Sequence, residues 1–178
     1  MAMIQTTLEL IRRELNQRLL VGDPRSEDWV ILSNIVGLNG EPFPEAQNKV
    51  VMCLANIQHE TIISTYQRGA PVAGGDRIGV VPPPLYIDLF VLFYANFGDG
   101  NYRQGLDMIS QTIAFFQQNV WFTRENLPGL DGRIDKLSFE FTNLDLAELH
   151  CLMGNMGAKY LPSVYYKVRM IPFNDGNG

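Results

Sequence analysis

Histidine and cysteine supply most metal ligands and many nucleophiles, and this chain has two of each. His59 and His150 are far apart in the sequence, and neither has a second ligand at a metal-binding spacing such as HExxH. Cys53 and Cys151 show no CxxC spacing, and each sits among apolar residues. This setting is typical of reduced thiols in the core of a cytoplasmic protein. The sequence therefore predicts no metal site, although a disulfide between the two cysteines stays open.

Other catalytic motifs are equally sparse. There is no GxSxG elbow to present a hydrolase serine. The turn Gly74-Gly75-Asp76 lacks the lysine and the helix that follow a phosphate-binding loop. The acidic pair Glu27-Asp28 is typical of solvated loop charge. We therefore expect a protein that is not an enzyme and has no cofactor, while carboxylates that meet only in space leave a small enzyme as an alternative.

Composition restricts the class of protein further. With 178 residues, 46% hydrophobic and 19% charged, the chain suits one globular domain over 1–178 that ends in a polar tail at 174–178. The net charge of -5 argues against nucleic-acid binding.

The longest apolar run, Leu89 to Ala95, is far below the ~20 residues that span a bilayer. Charged residues such as Glu9 and Arg12 interrupt the N-terminus where a signal peptide would be apolar. These features predict a soluble cytoplasmic protein without a membrane partner.

Three segments have the periodicity or the end signals of helices. Residues 3–20 carry an apolar stripe at three- and four-residue spacing. The stripe consists of Ile4, Leu8, Ile11, Leu15 and Leu19, whereas Arg12, Arg13, Asn16 and Gln17 fall away from it. A second helix begins where Asn101 and Gln104 resemble a capping box and ends near Asn119. A short third helix begins at a similar pattern, Asp145 with Glu148, and ends at Gly157.

Six further segments read as strands. They are Trp29 to Val36, Lys49 to Ile57, Leu85 to Phe97, Val120 to Thr123, Ile134 to Phe141, and Val164 to Ile171. The segment Leu85 to Phe97 is apolar on both faces, which predicts the centre of a sheet that is covered on each side. In Ile134 to Phe141 the side chains of Leu137, Phe139 and Phe141 are expected to point inward. The order of elements predicts an α+β fold, a single mainly antiparallel sheet with helices packed on it.

The last third of the chain carries a distinctive motif. Leu149 to Gly154 runs into Gly157 to Val164 and then into Tyr165 to Met170. This stretch resembles the end of the N-terminal domain of cap, or tail terminator, proteins from extracellular contractile injection systems of the virulence-cassette and antifeeding-prophage type. Earlier segments agree in the same order. They are Asn34 to Val36, Asn48 to Val51, Pro83 to Tyr86, Tyr94 to Phe97, and Ile113 to Gln117. The resemblance departs at Met153, where many relatives carry tryptophan.

The resemblance implies a structural protein with a phage tail-terminator-like fold. Such a protein closes the head-distal end of the particle, stops polymerisation of the inner tube and the sheath, and joins the two layers. It implies a homo-oligomeric ring, most simply a hexamer, with the inner tube protein and the sheath protein as partners. It supplies no catalytic residues. Another structural adaptor of the same particle, such as a baseplate or tail-completion protein, is the alternative.

Basic residues on the final strand form one candidate partner interface. Lys167 and Arg169 share a face of this strand, and Tyr165 precedes them. Two positive charges on one face of an acidic chain could dock an acidic or extended arm of the sheath or tube. Equally, they could pair within the chain, with helix glutamates such as Glu9 or Glu14.

A second candidate interface is the glycine- and proline-rich loop from Tyr66 to Pro84. It carries Arg68 and Arg77. Its composition suits a segment that becomes ordered on assembly.

Overall fold

A computed structural model describes residues 3–61 and 85–173 of this chain. Its helices are α1 (Met3–Gly22), α2 (Tyr102–Gln118) and α3 (Leu146–Met156). Its strands are β1 (Val30–Leu32), β2 (Lys49–His59), β3 (Leu85–Asn96), β4 (Trp121–Phe122), β5 (Leu137–Phe141) and β6 (Ser163–Phe173). The predicted loop 66–84 and the tail 174–178 lie outside the described residues.

The six strands form one sheet in the order β1-β2-β3-β6-β5-β4. Only the β1–β2 pair is parallel, and the other four pairings among the described strands are antiparallel. This arrangement confirms the predicted α+β class with a mainly antiparallel sheet. The described residues contain no helix that is long and apolar enough to cross a membrane.

Strand β3 lies at the centre of the sheet, as its sequence predicts. Leu89, Val91 and Phe93 face one side, Leu92 and Tyr94 face the other, and all five are buried. A strand that is apolar on both faces is stable only where both faces are covered. Its position between β2 and β6 meets that requirement.

One side of the sheet, the first face, packs against α1 and α2. The predicted stripe of α1 is confirmed, because Leu8, Ile11, Leu15 and Leu19 are all buried in this core. From α2, the ring of Phe116 packs into an aromatic cluster on β3, β5 and β6. Its centroid lies 4.5 Å from Phe139, 4.8 Å from Tyr166 and 5.1 Å from Phe93.

Asn16 corrects the expectation that the polar residues of α1 all point away from the core. Its side chain is buried. Its Oδ1 accepts hydrogen bonds from the backbone N–H groups of Trp29 at 2.7 Å and Val30 at 3.1 Å. Its Nδ2 donates to Asp28 at 2.8 Å. Backbone donors at the start of an edge strand need partners, and the helix supplies one.

The opposite side of the sheet, the second face, is covered over part of its area by α3. A smaller core forms there between the sheet and the helix. It includes Val51, Cys53, Leu92, Tyr94 and Met153.

The first predicted strand is shorter than expected. Only Val30–Leu32 pair with β2, because the chain then leaves the sheet for a tight turn. The Gly37 N–H donates to Glu41 O at 2.8 Å, and Val36 forms an isolated bridge with Pro42. Both faces of β1 are nevertheless covered, because Val30 is buried in the first-face core and Ile31 packs against the smaller core under α3.

Three local expectations also fail. Phe141 is exposed, because β5 runs past the end of the core, although its ring still meets Tyr166 edge-on at 5.5 Å. Asn101 makes no capping hydrogen bond, since its Nδ2 donates to Asn48 Oδ1 at 3.1 Å. Cys53 and Cys151 are both free thiols, but only Cys53 is buried, so the prediction of two core thiols is wrong for Cys151.

Candidate partner interface

Beyond α3, the second face changes from apolar to charged. Strand alternation and the β3–β6–β5 pairing place Asp88, Lys167, Arg169 and Glu140 on this face, and Glu60 follows the end of β2. We call these residues the ion network. It connects the end of β2 with the three neighbouring strands.

Arg169 and Lys167 are the cations of the ion network. Arg169 Nη2 lies 2.7 Å from Glu60 Oε2, and Arg169 Nη1 lies 3.2 Å from Glu140 Oε1. Lys167 Nζ lies 3.2 Å from Asp88 Oδ2. The side chains of Lys167 and Arg169 are only 26% and 25% exposed. Burial by itself lowers the pKa of Arg169, but its hydrogen bonds to Glu60 and Glu140 outweigh that effect and raise it.

Tyr165 lies beside the ion network and belongs to the same face. Its ring stacks on Phe90 at 5.7 Å, and Lys167 Nζ lies 5.9 Å from the centroid of the same Phe90 ring. Burial raises the pKa of Tyr165, so the phenol stays neutral and can donate a hydrogen bond. Tyr165 and Lys167 thus flank one aromatic ring at the border between the apolar and the charged part of the second face.

A groove beside α3 exposes apolar side chains. It has a volume of about 330 Å³. It is lined by Leu146, Leu149, His150, Met153, Gly154, Ala158 and Tyr160. Leu146 is 86% exposed although it opens a well-formed helix. The predicted capping box is confirmed there, because Asp145 accepts from the Glu148 N–H at 2.8 Å and the Glu148 side chain accepts from the Asp145 N–H at 3.0 Å.

A separate apolar surface lies at the β4–β5 edge of the sheet. Trp121 of β4 is 55% exposed, and Lys136 Nζ lies 5.7 Å from its ring. Phe141 of β5 and Val120 are also exposed. Trp121 lies at the opposite edge of the sheet from β1.

The two histidines and the acidic pair Glu27-Asp28, which the sequence offers for chemistry, lie within the described residues. His59 and His150 are both exposed. Within residues 3–61 and 85–173, no group of three or more His, Cys, Asp or Glu side chains could hold a metal ion. The pair Glu27-Asp28 makes structural contacts, since Asp28 pairs with Arg12 at 2.9 Å and Glu27 with Lys49 at 3.8 Å.

The family model described as the Pvc16 N-terminal domain matches residues 6–177. This chain belongs to that family. No curated protein matches it.

The fold is similar to a solved structure of a PVC sheath/tube terminator, from an extracellular contractile injection system in the extended state. The TM-score is 0.52 at 15% identity, and the match covers 93% of this chain and 56% of that chain. The anti-feeding prophage cap, a tube-terminating cap, has a TM-score of 0.48 at 15% identity, with 94% and 55% coverage. The chain therefore spans little more than half the length of the proteins that it matches.

Membership of the Pvc16 N-terminal domain family confirms the resemblance that the Leu149 to Met170 stretch carries. The terminator-like fold of the described residues agrees with it. The predicted contact residues of this family member divide into two groups. Tyr165, Lys167 and Arg169 lie together on the second face, whereas Arg68 and Arg77 lie outside the described residues.

The intrachain partners of the two cations differ from the helix glutamates considered from sequence. Glu9 pairs with Arg12 at 2.8 Å and with Arg13 at 3.2 Å, all on α1. Lys167 and Arg169 pair instead with carboxylates on the sheet. This network was not predicted from the sequence, although Asp88, the one charged residue of the largely apolar strand β3, is a signal that could have indicated it.

Proposed function

We propose that this chain is a terminator subunit of a contractile injection particle. It closes the head-distal end, stops polymerisation of the inner tube and the sheath, and joins the two layers. The observation that carries the proposal is the family match over residues 6–177, together with the terminator-like fold. The role is structural, without catalysis or a cofactor, and the subunit is assembled in the cytoplasm before it becomes part of the particle.

Particle length tests this function. Electron microscopy of particles made without the chain should reveal tubes and sheaths of irregular length, because nothing stops polymerisation. Adding the chain back should restore a uniform length. Particles of normal length in its absence would contradict the proposal. Particles that lack a baseplate but keep a normal upper end would instead support the alternative of an adaptor.

A closed ring of six subunits accounts for termination in physical terms. Heterologous contacts that close by rotation form a ring, and such contacts need two unlike surfaces on each subunit. The groove beside α3 and the exposed edge at Trp121 are two unlike apolar surfaces on one chain. Exposed apolar surface of this kind often marks a contact with another protein.

Mixing two variants tests the ring contact. Leu146→Asp blocks the groove, and Trp121→Glu blocks the edge. Each variant alone should be monomeric by mass measurement, while their mixture should form one-to-one pairs, since each retains one functional surface. Asp135→Asn serves as an exposed control that leaves the ring intact. A wild-type chain that stays monomeric both in solution and in isolated caps would contradict the ring.

The second face is our candidate surface for an acidic or extended arm of the sheath or tube. Tyr165, Lys167 and Arg169 lie there, and Arg68 and Arg77 complete the proposed contact set. A main-chain contact is also available. Strand β1 pairs only with Val50–Met52, and no described strand pairs with the outer edge of β2 after Met52, so an extended arm could add there.

Paired substitutions separate docking from folding. Arg68→Ala with Arg77→Ala tests the loop, and Lys167→Ala with Arg169→Ala tests the second face. The latter pair leaves buried carboxylates without cations, so a matched control removes the charges from both sides. This control combines Lys167→Gln, Arg169→Gln, Asp88→Asn and Glu60→Gln. If all three folded variants enter particles as the wild type does, these basic residues do not dock a partner.

A further inference from the structure

The ion network contains one more carboxylate than cations. Glu60, Asp88 and Glu140 face Lys167 and Arg169. Arg169 pairs with two of these carboxylates, Glu60 and Glu140, whereas Lys167 pairs with Asp88, through Oδ2. Among these five described residues, the carboxylates therefore outnumber the cations by one.

The two carboxyl groups that lie deepest are neighbours. Glu60 is 3% exposed and Asp88 is 2% exposed, and the neighbouring Glu60 side chain raises the pKa of Asp88. Two ionised carboxylates are both acceptors, so a hydrogen bond between them requires a proton on one of them. Neighbouring carboxylates in a buried site favour a single shared proton, because two like charges there repel each other.

Asp88 Oδ1 supplies an independent observation. Although it is buried, no donor in the described chain forms a hydrogen bond with it. Buried polar atoms in folded proteins are nearly always satisfied. A proton on the Asp88–Glu60 pair supplies the missing donor.

We propose that Asp88 and Glu60 together hold one proton in the folded chain at neutral pH, which makes the ion network a proton-binding site at the end of the sheet. Loss of that proton places two negative charges side by side between β2 and β3 and weakens their connection to β6. The stability of the strand pairing beneath the second face therefore depends on pH. This inference is independent of the terminator function.

The charged and titratable groups near this pair on the second face come from β3, β5 and β6. Lys167 and Arg169 come from β6 and Glu140 from β5, while Tyr86 lies on the same face of β3. Burial raises the pKa of Asp88 and the neighbouring Glu60 raises it further, whereas Lys167 opposes the shift. The net effect is a raised pKa of Asp88.

The sign of the pH dependence follows from that direction. A carboxyl whose pKa is higher in the folded than in the unfolded chain stabilises the fold fully below its ordinary pKa. This contribution is lost as the pH rises through the raised value. Asn cannot titrate and resembles the protonated acid in shape, so Asp88→Asn should remove this part of the pH dependence.

Urea unfolding of the full chain between pH 4 and pH 9 tests the proposal. Relative to Asp88→Asn, the wild-type urea midpoint should fall as the pH rises. The slopes of the unfolding free energy against pH should differ between the two proteins by an amount that corresponds to at most one bound proton per molecule. Glu60→Gln should reduce the fall of the midpoint with pH, as Asp88→Asn does. Asp135→Asn should follow the wild type. If the ion pair with Lys167 instead determines the pKa of Asp88, that pKa is lowered. The wild-type midpoint then rises with pH relative to Asp88→Asn, and the proposal is wrong. Parallel profiles of the wild type and Asp88→Asn would overturn it as well.

Infrared spectroscopy of the folded protein tests the same proton without unfolding. The wild type should have a protonated-carboxyl band at neutral pH, and both Asp88→Asn and Glu60→Gln should lack it. Absence of the band in the wild type would contradict the proposal.

Discussion

The two faces of the sheet are built differently. The first face is covered by α1 and α2, and its aromatic cluster around Phe116 is closed to solvent. The second face has α3 over one part and the ion network over another, with Leu146 exposed beside them. Burial of large apolar groups dominates stability, whereas exposed apolar and charged groups are what a partner can contact. The comparison indicates that the first face maintains the fold, whereas the second face carries the surface that we propose for partner contact.

Phe116→Ala should produce the largest loss of stability. The ring is 1% exposed and contacts Phe93, Phe139 and Tyr166, so its removal leaves a cavity in the first-face core. We expect a loss of about 3–5 kcal/mol in the free energy of unfolding, measured with urea. A loss as small as that for an exposed residue would show that the first face is not the main core.

Met153→Ala should cost less, about 2 kcal/mol, at the low end for a buried methionine. Met153 is the buried residue of α3, but its core is smaller and lies beside an open groove. Leu146→Ala on the same helix is the matched control, and it should change stability by no more than about 0.5 kcal/mol. Equal losses for Met153→Ala and Phe116→Ala would contradict the proposed difference between the faces.

Asp145→Ala should have the smallest of the three effects on stability. It removes one half of the capping box of α3 and leaves the Glu148 N–H without its side-chain acceptor. The expected loss is about 1 kcal/mol. The same unfolding measurement checks it, with Asp135→Ala as an exposed control. No difference between the two variants would mean that α3 is held in place by packing alone.

Features that depend on local pattern were predictable from the sequence. The stripe of α1 and the double-sided strand β3 follow from periodicity, and the start of α3 follows from Asp145 and Glu148. Asn101 has the same kind of local pattern, yet its side chain bonds Asn48 instead, because a partner from a distant segment competes with the cap. Phe141 alternates correctly along β5, but alternation does not reveal where the core ends.

The residue pattern determined the elements, the fold class and the family, because periodicity, capping and the Leu149 to Met170 motif are properties of neighbouring positions. Only the tertiary structure decided which carboxylates pair with Lys167 and Arg169. Glu60 and Arg169 are 109 positions apart in the chain, and they meet because β6 is inserted between β3 and β5. The burial that favours a proton on Asp88 likewise exists only once the strands are assembled, since a carboxyl in the unfolded chain is surrounded by water.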